Sequence, residues 1–167
     1  MKLTIYRILS FLLVPMAILF AMGVLPFLSA AFANPAMLFP LFLIACIVIY
    51  SFASLNFLIK GIDGKRNLRR SSKDWIKVNA IVSIVFALLI MIECVVFLMY
   101  PEMMQRLVNQ TKQIAGSDFR LREADYGNYF RITSYFFLAY AIVLVIHIIM
   151  SFQYLKMYNY LFQGEKN

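Results

Sequence analysis

Four apolar stretches, each of about 20 residues or more, organise this chain: from about Ile8 to Leu28, Met37 to Ile59, Ile76 to Tyr100, and Phe130 to about Tyr154. A helix rising ~1.5 Å per residue needs about 20 apolar residues to cross a hydrocarbon layer ~30 Å thick. Each stretch meets that requirement. Inside hydrocarbon every backbone N–H and C=O must be satisfied within the protein, which leaves helices or closed barrels as spanning forms. The apolar/polar alternation of barrel strands is missing here. The expected fold is therefore all-α, an integral membrane protein built as a four-transmembrane-helix bundle, with residues 1–167 forming one membrane domain.

Composition points the same way. Apolar residues make up 63% of the chain and charged residues 14%, against ~45–50% and ~25% in soluble domains. A soluble domain of this size buries only about 70% of its surface, so the excess apolar surface needs a bilayer. Sixteen Lys and Arg against eight Asp and Glu give a formal charge of +8. In a soluble chain that balance would suggest nucleic acid. Here the basic residues sit beside the spans, where they read as orientation signals and contacts to anionic lipid headgroups. No nucleic acid partner is expected.

The distribution of Lys and Arg sets the expected orientation. Lys2, Arg7, seven residues in and beside the 60–75 loop, Lys156 and Lys166 lie on one side. The 101–129 loop holds four basic residues, offset by Glu102, Asp118, Glu123 and Asp125. The positive-inside rule places the first group in the cytoplasm, and an even number of spans agrees with both termini sharing that side. A plasma membrane or bacterial inner membrane is the expected location.

Local signals refine the elements. Pro15 and Pro26 are expected to kink or end the first helix, because each removes a backbone donor and crowds the preceding turn. Lys2, Arg7 and the small-x-small run Ala31-Phe32-Ala33 resemble a secretory signal. The apolar run of about 20 residues exceeds the 7–15 of a signal core, so an uncleaved helix is expected. The 60–75 loop and its edges carry Lys60, Lys65, Arg66, Arg69, Arg70, Lys73 and Lys77 against Asp63 and Asp74. Among these, Lys65, Arg66, Arg69, Arg70 and Lys73 are the candidates for lipid headgroup or partner contact. Ser71 followed by Asp74 fits a capping pattern, and Trp75 suits an interface. In the outer loop, Pro101 and Glu102 suit a helix start. Met104, Leu107, Val108, Thr111 and Ile114 then recur at helical spacing, predicting a short amphipathic helix that ends at Gly116-Ser117-Asp118. Ser51-Phe52 with Leu55 recurs as Ser151-Phe152 with Leu155, a faint echo of a repeat.

Few residues could carry chemistry. Glu93 lies within Ile90–Val96, with no charge nearer than Lys77 upstream or Glu102 downstream. A charge at the bilayer centre costs ~2.5–3.5 kcal/mol on insertion scales, so such residues face a bundle interior or a wet cavity. Glu93 reads either as a proton or cation site, or as a carboxylic acid hydrogen-bonded to a neighbouring helix. His147 is the only histidine and reads as a satisfied packing residue. A relay joining it to Glu93 would need intermediates: Tyr140 on the Glu93 side, and Asn56, Ser54 and Ser51 on the His147 side. Cys46 and Cys94 read as buried thiols, and no Cys/His spacing suggests a metal. Arg122 and Arg131, with Tyr126, Tyr129 and Tyr135, read as headgroup contacts and an aromatic belt. Tyr154, Tyr158, Tyr160 and Phe162 read likewise, on a fourth helix continuing beyond the membrane. No phosphate loop, zinc motif or nucleophile elbow is present, and no cofactor is expected.

Three functions fit this pattern. The first is a non-catalytic accessory, scaffold or regulatory subunit acting through helix–helix contacts, with a protein partner or a second copy. The second is a small oligomeric transporter or channel using Glu93. The third is a membrane enzyme acting on a lipid or quinone, which would need two or more polar groups converging on one point.

Overall fold

The computed structural model describes residues 2–100, 102–103, 105–106, 109 and 123–162. Four long helices account for most of them: α1 (Lys2–Ala33), α2 (Leu38–Asn56), α3 (Arg70–Met99) and α4 (Glu123–Met157). No strand occurs among the described residues. Among the described residues, four helical segments are long and apolar enough to cross a membrane. Each exceeds the length of its apolar stretch, because α1, α3 and α4 extend into the polar flanks.

Pro15 and Pro26 both lie inside α1 and neither ends it. Each removes one backbone bond, and the turns on either side hold the 32-residue helix together. What ends α1 is the Asn34-Pro35 pair. The Asn34 side-chain oxygen accepts the Ala36 N–H at 3.1 Å, and Pro35 opens a 3₁₀ turn over Pro35–Met37 that leads directly into α2.

The basic segment is less of a loop than its composition predicts. α2 widens at Asn56 into a π-helical turn, Phe57–Asp63. That turn closes with the Gly64 N–H on the Ile59 carbonyl at 2.9 Å and the Arg66 N–H on the Lys60 carbonyl at 3.0 Å. Lys65, between them, takes a left-handed φ of 48°. Gly64 is required by proximity: a Cβ there would lie 2.8 Å from the Lys60 carbonyl oxygen. α3 then begins at Arg70, one residue ahead of Ser71, so Ser71 sits within the first turn instead of capping it.

The C-terminal segment also departs from expectation. α4 stops at Met157, and a 3₁₀ turn (Asn159–Phe162) returns toward the basic segment instead of continuing outward. The Leu68 N–H donates to the Leu161 carbonyl at 2.7 Å, and the Phe162 ring lies 5.4 Å from that of Phe57. Leu161 and Phe162 are buried. The amphipathic helix expected from Pro101 to about Ala115, and Arg122 of the outer cluster, lie largely outside the described residues. Glu102, Met103, Gln105, Arg106 and Asn109, which are described, have helical backbone.

The chain divides into two compact units, residues 1–86 with 144–167, and residues 87–143. In the first, each helix buries one narrow stripe at helical spacing: Tyr6, Ser10, Leu13 and Ala17 on α1; Leu43, Ile47, Tyr50 and Ser54 on α2; Ile76, Ala80 and Ser83 on α3; Leu144, Ile148, Ser151 and Leu155 on α4. Small residues recur in every stripe. They let helix backbones approach closely, the usual packing device where both faces of a helix are apolar. The second unit consists of the end of α3 and the beginning of α4 together with the segment between them.

Gly64→Ala is expected to lower stability by about 1–3 kcal/mol, the usual range for overpacking. Lys65→Gly is expected to hold or raise it by up to about 1 kcal/mol, since a left-handed residue with a Cβ costs ~1–2 kcal/mol and glycine's added chain entropy returns part of that. Thermal unfolding of the two variants in detergent micelles checks both signs.

Candidate functional site

Among the described residues, buried polar side chains converge around His147, in the first unit. His147 is fully buried, on the inward stripe of α4. Its Nε2 lies 2.8 Å from Ser10 Oγ on α1, and its Nδ1 lies 2.8 Å from the Tyr50 hydroxyl on α2. Tyr6, one turn before Ser10, stacks its ring on the imidazole with centroids 4.9 Å apart and planes 6° from parallel. Tyr50 meets the ring edge-on at 72°. The Tyr6 hydroxyl is 3.4 Å from Ser151 Oγ, one turn after His147, and its ring lies 4.8 Å from that of Tyr154.

Counting donors orders the protons. Ser10 Oγ donates its hydrogen to the Tyr6 carbonyl at 2.8 Å, so toward His147 it can only accept. The imidazole therefore donates through Nε2–H, and Nδ1 accepts from the Tyr50 hydroxyl. A neutral imidazole has one donor and one acceptor, and the surrounding helices supply one match for each. This arrangement engages both nitrogens in hydrogen bonds to neighbouring helices. What it does is join three helices at one buried point.

The partners differ from those expected. Ser51 and Ser54 donate to carbonyls of their own helix, Ile47 and Ser51. Asn56 is half-buried at the last position of α2 and makes no capping bond to the π turn. Tyr50, Ser10 and Tyr6 hold the histidine instead. Tyr6 and Ser10 fall on the buried face of α1 with Leu13 and Ala17, and Tyr50 on the buried face of α2 with Ile47, faces that helices apolar all round do not reveal in sequence.

Glu93 and Tyr140 belong to the second unit. Glu93 is exposed and makes no hydrogen bond or ion pair to a described residue. It borders a surface hollow of about 260 Å³ between α3 and α4, with Cys94, Phe97, Phe130, Thr133 and Phe137. Ser134, also at the hollow, is turned to its own helix and donates to the Phe130 carbonyl at 2.8 Å. Tyr140 is buried one turn further along α4 and does not line the hollow. The carboxyl group thus stands in an apolar, aromatic setting on the outside of the helix pair.

The basic candidates occupy several elements. Lys65, Arg66 and Arg69 are exposed between the π turn and α3, and Arg70 is exposed at the first position of α3. Lys73 is half-buried and donates to the Asn159 side-chain oxygen. Arg7 pairs with Asp63, both well exposed, a contact worth at most about 1 kcal/mol. Arg131, Tyr129 and Tyr135 are exposed on α4. Cys46 and Cys94 are free and buried. No cluster of three His, Cys, Asp or Glu side chains suited to a metal occurs among the described residues. No protein-family model matches the chain, and neither a curated protein nor a solved structure matches it.

Tyr50→Phe and Ser10→Ala are each expected to destabilise the protein by about 1–3 kcal/mol, the cost of a buried group left without its partner. Nitrogen-15 NMR of labelled histidine is expected to place the imidazole proton on Nε2 in the unsubstituted protein. A proton on Nδ1 would overturn the assigned order.

Proposed function

We propose that this chain is an integral membrane protein whose four helices cross the bilayer, and that it acts without catalysis, through contacts between helices, as an accessory, scaffold or regulatory subunit. The excess of Lys and Arg near Lys2, in the 60–77 region and at Lys156 supports both termini on the cytoplasmic side of a plasma or bacterial inner membrane.

Glu93 carries this reading. A carboxyl group on the outer surface of a span faces either lipid, at a cost of a few kcal/mol, or another chain that offers it a donor. The hollow beside it supplies aromatic and aliphatic surface for close helix contact. The alternatives draw less support. An oligomeric transporter would need Glu93 at a wetted contact between copies, whereas its neighbours at the hollow are largely apolar and aromatic; an enzyme would need converging polar groups that a substrate can reach. The His147 cluster converges, but His147, Ser10 and Tyr50 are all buried and bonded to one another.

The test compares Glu93→Leu with the neighbouring exposed control Ile92→Leu, each extracted from native membranes in mild detergent. The unsubstituted protein and the control are expected to migrate as one defined complex, and Glu93→Leu as the isolated chain. A monomer that Glu93→Leu merely stabilises would remove the contact reading. Proton flux in liposomes abolished by Glu93→Gln would establish the transporter in its place. Orientation is read separately: Lys65→Cys is expected to react with a membrane-impermeant maleimide only from the cytoplasmic side.

A further inference from the structure

The first unit holds a second hollow, of about 290 Å³, at the start of α3 and the end of α4. Its rim carries three lysines, Lys73 and Lys77 from α3 and Lys156 from α4, together with Asn159 of the terminal 3₁₀ turn. Its apolar wall is Phe152 and Leu155. Lys73 and Lys77 stand one helical turn apart, so their like charges repel, and Lys156 adds a third. No Asp or Glu lines the hollow. The backbone has nonetheless gathered these ammonium groups around one space, half-burying Lys73 and fixing it on Asn159. Because the Asn159 oxygen accepts from Lys73, its amide nitrogen is left as a further donor.

We propose that this hollow binds one phosphate group, carried by an anionic phospholipid. Three ammonium groups and an amide N–H₂ suit the oxygens of a phosphodiester. The volume is at the small end of ligand pockets (~300–1,000 Å³) and suits a phosphate with its glycerol, while the half-buried Phe152 offers apolar surface beside it. Trp75 and Tyr160, both exposed on elements that line the hollow, are side chains that settle at headgroup level. Basic pockets between helices on the cytoplasmic side bind anionic headgroups in this manner. The five basic residues singled out by charge alone include only one member of the site, Lys73. The inference rests on the proposed cytoplasmic placement of the segment before α3, which the maleimide labelling tests independently.

The experiment measures thermal stabilisation of the purified protein in neutral detergent on titration with phosphatidylglycerol, phosphatidylcholine or inorganic phosphate. Phosphatidylglycerol is expected to stabilise the unsubstituted protein at concentrations at least tenfold below phosphatidylcholine, with no effect of inorganic phosphate at matched concentration. The triple variant Lys73→Gln/Lys77→Gln/Lys156→Gln is expected to lose that preference. The variant Lys2→Gln/Lys60→Gln/Arg106→Gln, which removes the same charge at positions outside the hollow and outside the five headgroup candidates, is expected to keep it. Equal loss in both variants would overturn the site in favour of diffuse surface attraction. Stabilisation by inorganic phosphate equal to that by the lipid would overturn the lipid as its source. If the triple variant fails to fold, Lys156→Gln alone, at an exposed position, is expected to weaken the preference about threefold, and an unchanged preference would overturn the proposal.

Discussion

A helix covered with apolar side chains on every side has little hydrophobic reason to choose one neighbour over another. In hydrocarbon the chain outside is as apolar as the chain inside, so pairing depends on close backbone approach and on a few hydrogen bonds. The His147 cluster meets that constraint in residues 1–86 and 144–167. One imidazole on α4 accepts from Tyr50 on α2 and donates to Ser10 on α1, and the stacked Tyr6 ring closes the remaining face. Around it the stripes of Ser and Ala allow contact, and the hydrogen bonds select the register.

The same economy governs the polar ends. The π turn after α2, the left-handed Lys65 and the returning 3₁₀ turn after α4 converge where Leu68 donates to Leu161 and Phe57 meets Phe162. These contacts fix the beginning of α3 against the end of α4 and so bring Lys73, Lys77 and Lys156 around one hollow. Charges that are scattered along the sequence become a local site through this closure.

Glu93 obeys the opposite logic. The buried polar groups around His147 are satisfied inside the chain, whereas Glu93 is presented outward beside Phe97, Phe130 and Phe137. An ionisable group is expensive in that setting unless something meets it. Contacts at the helix surface are proposed from this contrast between polar groups bonded within the chain and a carboxyl group with no bond to a described residue.

Much of this architecture could be read in the amino-acid order. Runs of Ile, Leu, Val, Phe and Met long enough to span a bilayer determine four helices, because a backbone dressed this way must satisfy itself locally. Asn34-Pro35 marks the first turn by its own chemistry, and Glu93 and His147 stand out by rarity alone. Tertiary structure decided what those two residues do. Apolar side chains on every face of a helix give almost no periodicity, so the buried stripe cannot be told from the exposed one, and Tyr6, Ser10 and Tyr50 could not be assigned to His147. Pro15 and Pro26 interrupt the local rule without ending α1, since the turns around them suffice. The return of Leu161 and Phe162 likewise depends on a contact with Phe57 and Leu68, about a hundred residues away in the sequence, which no local preference encodes.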